Sequence, residues 1–212
     1  MAAMRILIVD DHLVVRRGLQ QLLADEFPRT TFGEAGTATE GLQRVLREKW
    51  DIVLLDLSLP GRSGLDALAE IKHARPALPV LVLSMHPEAE FAVRVLKAGG
   101  AGYLTKQSAA EELVAAVKKA VSGGRYITAS LAEKLATDLG QAGDRPPHET
   151  LSNREYQTME LLAAGRTAKE IAAELSLSVK TVSTYRTRLL RKLRVKGTVE
   201  LARYALQHGL VE

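Results

Sequence analysis

The sequence predicts a doubly wound α/β domain built on a five-stranded parallel sheet, followed by a small all-α domain of four helices. Within residues 1–124, five short apolar runs alternate with segments of helix length. After Leu151 there are no strand signals, and every periodic segment has helical spacing. Alternating strands and helices require crossover connections, which make the strands parallel and place helices on both faces of the sheet.

The strands of the first domain are predicted from apolar runs that are continuous rather than alternating, as expected for strands buried on both faces. The second and fifth of the predicted helices carry capping-box signals, Thr37 with Glu40 and Ser108 with Glu111. The five runs, of which the second is the weakest, are RILIVD (5–10), TFGEA (31–35), DIVLLD (51–56), PVLVLS (79–84) and AGYLTK (101–106).

The helices of the second domain are predicted from capping signals as well as from periodicity. Ser152 with Glu155 and Thr167 with Glu170 form capping boxes, and Ser178 fits an N-cap, while Gly165 fits a helix C-cap. A short helix over about 129–139 and the stretch GQAGDRPPHET (140–150), which cannot build a core, precede this domain. We therefore expect a first domain over 1–124, a linker over 125–150, a second domain over 151–212, and helices over about 153–164, 168–175, 179–193 and 198–208.

The amino-acid composition and the charge distribution exclude several functional classes and favour others. Cysteine is absent, which excludes disulfides, thiolate metal sites and cysteine nucleophiles. No apolar run approaches the roughly 18 residues that a membrane span needs, and the N-terminus lacks a signal-peptide layout, so a cytoplasmic protein is expected. Residues 151–212 hold 11 Lys and Arg against 6 Asp and Glu, whereas residues 1–124 hold 15 of each. This imbalance favours a nucleic-acid-binding second domain, although a merely solubilising charge stays open.

Polar residues stand where the predicted strands end. Strand one ends in Asp10-Asp11, strand three in Asp56, strand four in Ser84, and strand five in Thr105-Lys106. The carboxyl ends of parallel strands meet at one edge of the sheet, where such folds bind their ligands. Clustered carboxylates repel one another and need a cation, and an all-oxygen site suits Mg²⁺. A carboxylate beside a metal-bound phosphate donor can act as a nucleophile. Alone, Asp56 could equally be a solvated acid before a Pro60-Gly61 turn.

The pattern ILIVDDH…LLDLSLPGRSG…VLVLS…AGYLTK resembles the receiver domain of two-component response regulators over residues 4–124. The resemblance implies a flavodoxin-like fold whose catalysis is limited to its own phosphorylation and dephosphorylation. It implies Asp56 as the phosphoacceptor, Lys106 as the phosphate-binding lysine, and Ser84 with Tyr103 as the switch pair. The implied Mg²⁺ ligands are Asp11, Asp56 and the Ser58 carbonyl, with Asp10 assisting. Many receivers have a proline after the lysine, where this chain has Gln107.

Two other phosphate-handling folds fit less well. A nucleotide-binding α/β domain would have a glycine-rich loop after strand one, where this chain has Asp-Asp-His. A haloacid-dehalogenase-like phosphatase would have a second acid two residues after its nucleophile, where this chain has Ser58. A phosphotransfer intermediate or phosphatase with an incidental basic tail, and a DNA-binding protein without phosphate control, remain as alternatives.

The segment VKTVSTYRTRLLRKL (179–193) is amphipathic and basic. Val182, Tyr185, Leu189 and Leu193 line one face, and no acid occurs between Glu174 and Glu200. The short connection 176–178 to the preceding helix has the spacing of a helix-turn-helix. The unbroken positive charge favours contact with phosphates over a solvated surface or a membrane-surface helix.

Residues 151–212 resemble the LuxR-type helix-turn-helix domain, and the whole chain resembles a response regulator of the NarL/FixJ class. The resemblance implies a sensor histidine kinase and double-stranded DNA as partners, with RNA polymerase as a further candidate. A homodimer would read two half-sites, and Val199, Ala202, Ala205 and Leu206 offer either a pairing surface or packing within the domain. The implied base-reading residues are Ser183, Thr184 and Thr187, and the implied phosphate contacts are Lys169, Lys180, Arg186, Arg188 and Lys192.

Overall fold

The structure is a computed structural model that describes residues 4–60, 63–85, 88–140 and 146–211. The chain divides into two compact units, Met1–Thr137 and Asp138–Glu212. The predicted Pro60-Gly61 turn falls partly outside the described residues. None of the described helices is both long enough and apolar enough to cross a membrane.

The first unit is a doubly wound α/β domain with a five-stranded parallel sheet, as the sequence predicts. The strands lie in the order β2-β1-β3-β4-β5, so the order reverses between β1 and β3, and the ends of these two strands flank the crevice. Strands and helices alternate as β1 (Arg5–Val9), α1 (Leu13–Glu26), β2 (Thr31–Ala35), α2 (Ala38–Arg47), β3 (Ile52–Asp56), α3 (Gly64–Ala74), β4 (Val80–Ser84), α4 (Glu88–Lys97), β5 (Gly102–Thr105) and α5 (Ala110–Val121).

The core of this unit lies on both sides of the three central strands. Every residue of β3 and β4 is buried, which explains why their sequences are continuously apolar. The edge strand β2 alternates between buried and more exposed residues, and this accounts for its weak signal. The indole ring of Trp50 packs directly against Gly33 of β2. A side chain at position 33 would prevent this contact, because its Cβ would lie 2.1 Å from the ring.

The two predicted caps of the first unit have different outcomes. The Thr37 side chain accepts a hydrogen bond from the Glu40 N–H, but the Glu40 carboxylate accepts from Gly36 rather than from Thr37. The prediction for Ser108 is wrong, because α5 begins one residue later and Ala109 is its N-cap. The Ser108 hydroxyl instead lies 3.2 Å from that of Thr105, where β5 ends.

The chain after α5 stays in contact with the sheet before it forms helix α6 (Ala129–Gly140). The Tyr126 N–H donates to the Ala101 carbonyl at 2.7 Å. The Thr128 hydroxyl donates to the Glu88 carboxylate at the start of α4, at 2.7 Å from one of its oxygens. It also accepts from the Leu131 N–H, so Thr128 caps α6 and links it to α4.

The described residues of the second unit form helices joined by short connections, with no strand among them, and the predicted caps are in place. Both glutamate capping boxes, at Ser152 and Thr167, are complete. The Ser178 side chain accepts from the Thr181 N–H, and Gly165 has a φ of 79°, which suits glycine at a helix C-terminus. The elements are a 3₁₀ turn (Pro147–Thr150), α7 (Asn153–Ala163), α8 (Ala168–Glu174), α9 (Val179–Leu193) and α10 (Thr198–Gln207).

Candidate functional site

The acids at the carboxyl edge of the sheet form one cluster. Asp10 and Asp11 follow β1, and Asp56 is the last residue of β3. Ligand atoms of Asp10, Asp11, His12 and Asp56 all lie within 4.8 Å of one another. Asp10 and Asp56 are only 2% and 1% exposed, whereas Asp11 is exposed. Buried carboxylates this close are costly unless a cation lies between them.

Lys106 supplies that cation from the loop after β5. Its Nζ lies 2.6 Å from an Asp10 carboxylate oxygen and 2.8 Å from Asp56 Oδ2. Burial raises the pKa of Asp56, although the hydrogen bonds from Lys106 and from the Ser58 N–H oppose this effect. Burial alone would lower the pKa of Lys106, but the two carboxylates outweigh it and the pKa is raised. The site therefore keeps its ammonium charged.

Backbone groups fix the orientation of both buried acids. The Ser58 N–H donates to Asp56 Oδ1 at 3.0 Å, and the His12 N–H donates to Asp10 Oδ1 at 2.8 Å. Gly64 lets α3 begin directly against the chain that follows β3, because a Cβ there would lie 2.3 Å from the Asp56 carbonyl oxygen. The position of Asp56 thus depends on a close backbone approach that only glycine allows.

The donor set of this cluster fits a magnesium ion. The carboxylates of Asp10, Asp11 and Asp56 are hard oxygen ligands of the kind that Mg²⁺ prefers. His12 also reaches the cluster, with Nδ1 lying 2.8 Å from Asp11 Oδ1. His12 is not among the site residues predicted from the sequence, although its place directly after the acid pair was a usable signal.

Sequence reasoning also missed an ion pair behind the cluster. The Arg16 guanidinium donates from Nη1 to the Asp10 carbonyl at 2.6 Å and from Nε to Glu34 at 2.8 Å. The hydrogen bond from Arg16 is the main reason why the pKa of Glu34 is lowered. Arg16 therefore connects α1, β2 and the end of β1.

The predicted switch residues are both inside the sheet. Ser84 ends β4, Tyr103 lies in β5, and both side chains are fully buried. The two strands pair in parallel, with Ser84 opposite Thr105 and Val82 opposite Tyr103. The Lys106 N–H donates to the Ser84 carbonyl at 2.7 Å, so the backbones of these two residues are directly hydrogen-bonded.

In the second unit, α9 separates a buried face from an exposed polar face. Val182, Leu189 and Leu193 are buried and Tyr185 is half-buried, as the spacing predicts. The predicted base-reading hydroxyls of Ser183, Thr184 and Thr187 are exposed and donate to carbonyls one turn earlier. Three of the predicted phosphate contacts are also exposed, namely Lys169, Lys180 and Arg188.

The other two predicted phosphate contacts have partners within the unit. Arg186 donates from Nη2 to the Thr198 hydroxyl on α10 at 3.2 Å. Lys192 donates to Glu155 at 2.5 Å and to the Thr150 carbonyl at 3.1 Å. These two contacts, like the acid cluster, join residues that are distant in the sequence.

A sheet edge with buried acids and a lysine, carried by the same chain as a basic helix-turn-helix, defines the class of phosphate-controlled DNA-binding regulators. The profile of the response regulator receiver domain matches residues 6–118, and that of bacterial regulatory proteins of the luxR family matches residues 149–205. The chain belongs to the NarL/FixJ-class response regulators, which are two-component transcription regulators with these two domains.

Curated relatives match almost the full length of the chain. Response regulator UvrY of Escherichia coli (strain K12) is 36% identical, with 97% of this chain and 94% of the relative covered. Response regulator GacA of Pseudomonas aeruginosa is 37% identical, with 98% of each chain covered. RcsB of Salmonella enterica serovar Typhimurium, solved on promoter rprA with the phosphomimetic BeF₃⁻, has a TM-score of 0.63 and 27% identity, over 96% of this chain and 98% of RcsB.

Proposed function

We propose that Asp56 accepts a phosphoryl group from a sensor histidine kinase and that phosphorylation controls DNA binding by the second unit. The observation that carries this proposal is the buried cluster in which Asp10 and Asp56 share the Lys106 ammonium. A nucleophilic carboxylate, a neighbouring cation and an all-oxygen metal site are what phosphoryl transfer to an acid requires.

In the transfer, an Asp56 carboxylate oxygen forms a bond to phosphorus while the bond from phosphorus to the kinase imidazole nitrogen breaks. Asp56 Oδ1 is oriented by the Ser58 N–H, and Lys106 holds Oδ2. Lys106 then moves its ammonium toward the phosphoryl oxygens, and Ser84 donates a hydrogen bond to one of them. A bound Mg²⁺ supplies positive charge against the incoming phosphate.

The residues that would hold the Mg²⁺ are Asp11 and Asp56, with the Ser58 carbonyl as a further ligand and Asp10 beside them. The phosphoryl group adds about −1.5 to −2 charges to a buried site. We propose that Ser84 and Tyr103 respond to this charge and change the surface formed by β4, α4 and β5. Catalysis by the chain is limited to adding and removing its own phosphoryl group.

We propose that α9 enters the major groove of double-stranded DNA. Its exposed hydroxyls face the bases, and the exposed Lys169, Lys180 and Arg188 suit phosphate contacts. A homodimer would bind two half-sites, and the very exposed Val199 and the exposed Leu206 of α10 suit the pairing surface. Ala205 is buried and therefore packs within its own unit. The proposed domain limits are 1–124 and 151–212, with 125–150 between them.

Mass spectrometry tests the phosphoacceptor. Incubation of the full chain with acetyl phosphate and Mg²⁺ should add about 80 Da, one phosphoryl group, at Asp56. Asp56→Asn should abolish this adduct. Asp51→Asn should retain it, because Asp51 lies at the opposite end of the same strand and binds the Arg5 N–H. A wild-type protein without an adduct, or an adduct that survives in Asp56→Asn, would contradict the assignment.

A gel mobility-shift assay tests the DNA-binding step. The phosphorylated wild type should retard DNA fragments in a salt-sensitive and sequence-preferring manner. Arg188→Ala should weaken binding, whereas Lys119→Ala, which removes an exposed cation from the first unit, should not. If the wild type prefers no genomic fragment at any salt concentration, the DNA-binding proposal fails, and a phosphotransfer intermediate or a phosphatase is favoured instead.

A further inference from the structure

Glu155 has a second partner that its capping role does not require. Its carboxylate accepts the Ser152 N–H at 2.7 Å, which completes the capping box of α7, and it also accepts the Lys192 ammonium from the last turn of α9. The side chain of Glu155 is only 4% exposed. The equivalent acid of the α8 capping box, Glu170, is exposed and bonds to Thr167 alone in the hydrogen bonds of the described residues.

The Lys192 ammonium donates its hydrogen bonds to groups of the second unit itself. It donates to Glu155 and to the Thr150 carbonyl of the 3₁₀ turn, so one cation joins three elements. Lys192 is part-buried, and a buried carboxylate is costly unless its cation is held in good geometry. Hydrogen bonds from Lys192 and Ser152 outweigh the effect of burial and hold the pKa of Glu155 below its ordinary value. The Glu155 carboxylate is therefore charged at neutral pH.

The position of Lys192 on α9 agrees with an internal role. Successive residues of an α-helix are rotated by about 100°, which places Lys192 beside the buried Leu189 and Leu193. The same rotation places Arg186 on the other flank of the buried face, where it bonds to Thr198 of α10. Lys192 and Arg186 thus bind neighbouring elements from the two edges of the buried face of α9. The exposed face is on the opposite side of the helix.

We propose that Glu155 is a positioning residue for DNA binding, which fixes the orientation of α9 through Lys192. Lys192 and Arg186 then orient the helix instead of contacting phosphates, which revises the role that the sequence suggested for them. This inference rests on the proposed DNA-binding function of the second unit. It assigns the phosphate contacts of α9 to its exposed cations, such as Lys180 and Arg188.

The sign of the charge change makes the proposal testable. Removing an acid from a DNA-binding unit strengthens binding if only long-range electrostatics matter, because the protein becomes more positive. Removing Glu155 should instead weaken binding, because α9 loses its fixed orientation. Glu170→Gln is the matched control, since it removes the same charge from the same position of an exposed capping box.

The experiment measures fluorescence anisotropy of a labelled duplex of about 30 base pairs, long enough for half-sites one or two helical turns apart. The duplex is enriched by the wild-type full chain from a randomised pool. Glu155→Gln should bind about tenfold more weakly, a change of 1.4 kcal/mol, while Glu170→Gln binds as well as or better than wild type. All measurements are made at a temperature where circular dichroism shows each variant folded.

The salt dependence of affinity separates a positioning role from a phosphate contact. Lys180→Met should lower the slope of log K against log salt by about one phosphate contact. Lys192→Met should lower the affinity at every salt concentration and leave the slope unchanged, and Lys192→Arg should restore affinity. A slope that falls equally in Lys192→Met, or a Glu155→Gln variant that binds as tightly as Glu170→Gln, would overturn the proposal.

The measurements distinguish failure of the proposed DNA-binding function from failure of the proposed role of Glu155. If the wild type enriches no duplex and binds none with salt sensitivity, the proposed function fails before the role of Glu155 is reached. If Glu155→Gln does not fold, the slopes of Lys192→Met and Lys180→Met decide the proposal. The double variant Glu155→Met with Lys192→Met removes the buried charges together and provides a folded reference without the ion pair.

Discussion

At the scale of residues, the acid cluster is supported by a guanidinium that lies outside the ligand set. Arg16 holds the Asp10 carbonyl on one side and Glu34 on the other. Groups that orient metal ligands without touching the metal commonly affect its affinity strongly. Arg16 therefore matters to the proposed site through its contact with Asp10.

We expect Arg16→Gln to weaken Mg²⁺ binding by about tenfold, the lower end of such effects, because Asp10 loses the support of its carbonyl. Isothermal titration calorimetry with Mg²⁺ measures this. Arg17→Gln is the control, since the neighbouring side chain is 68% exposed and only approaches Glu34 at 3.8 Å. Equal Mg²⁺ affinities in the two variants would show that Arg16 has no such role.

At the same scale, the lowered pKa of Glu155 predicts that the stability of the second unit depends on pH. Burial opposes its ionisation, yet Lys192 and Ser152 lower its pKa below the ordinary 4.5. A lowered folded pKa means that its stabilising contribution is complete above about pH 4.5 and is lost as the pH falls through the folded value.

The local stability of α7 and α9, measured by amide hydrogen exchange, should therefore be lower in Glu155→Gln than in wild type at pH 7. This difference should shrink as the pH falls below 4.5 and then through the lower folded pKa of Glu155, where the carboxylate of the folded protein becomes protonated. Glu170→Gln reports the effect of an exposed capping acid in the same unit. A difference between wild type and Glu155→Gln that stays constant with pH would mean that the ion pair contributes nothing.

At the scale of elements, the start of α6 is fastened to the start of α4. The Glu88 carboxylate accepts hydrogen bonds from the hydroxyls of Thr128 and Ser130, and Thr128 also caps α6. Leu131 is buried, so the first turn of α6 is part of the first unit. The beginning of the predicted linker is therefore ordered by side chains of the sheet domain.

Thr128→Val should loosen the first turn of α6 by about 1 kcal/mol, the usual cost of losing an N-cap. Hydrogen–deuterium exchange should become faster in α6 and in the first turn of α4, because one hydroxyl serves both helices. Ser122→Ala, which removes a hydroxyl that bonds to the Lys119 carbonyl after α5, should leave both regions unchanged. Unaltered exchange in Thr128→Val would show that Glu88 and Ser130 are sufficient.

At the scale of the whole molecule, most of the net positive charge belongs to the second unit, whereas the acid cluster belongs to the first. In the proposed DNA complex a single α9 would read only a few base pairs, so we expect specificity to come from two copies of the chain. Val199 is 87% exposed on α10 of the DNA-binding unit, and a large exposed apolar side chain suits a self-complementary contact.

Val199→Glu should therefore lower both the dimeric fraction of the phosphorylated chain and its affinity for a two-half-site duplex, because paired like charges repel. Sedimentation velocity and anisotropy measure the two effects. Leu46→Glu places the same charge at an exposed leucine of the first unit and should change neither. A Val199→Glu variant that dimerises and binds DNA as the wild type does would move the pairing surface elsewhere.

The order of strands and helices could be predicted from the sequence because it follows from local patterns. Continuous apolar runs predicted the central strands, and capping boxes predicted the first residues of α7 and α8 to within one residue of the observed starts. The alternation of elements also brought Asp10, Asp56 and Lys106 to one edge, since parallel strands share their polarity. The predicted helix start at Ser108 is wrong, because its hydroxyl lies close to that of Thr105 instead of capping α5.

The sequence by itself determined which residues carry charge at the strand ends and which helix is basic. Only the tertiary structure decided which charges of the chain are compensated internally, as Arg16 is by Glu34 and Lys192 is by Glu155. The physical reason is that a charge finds its partner through burial and proximity across elements, and neither of these is encoded in the spacing along the chain.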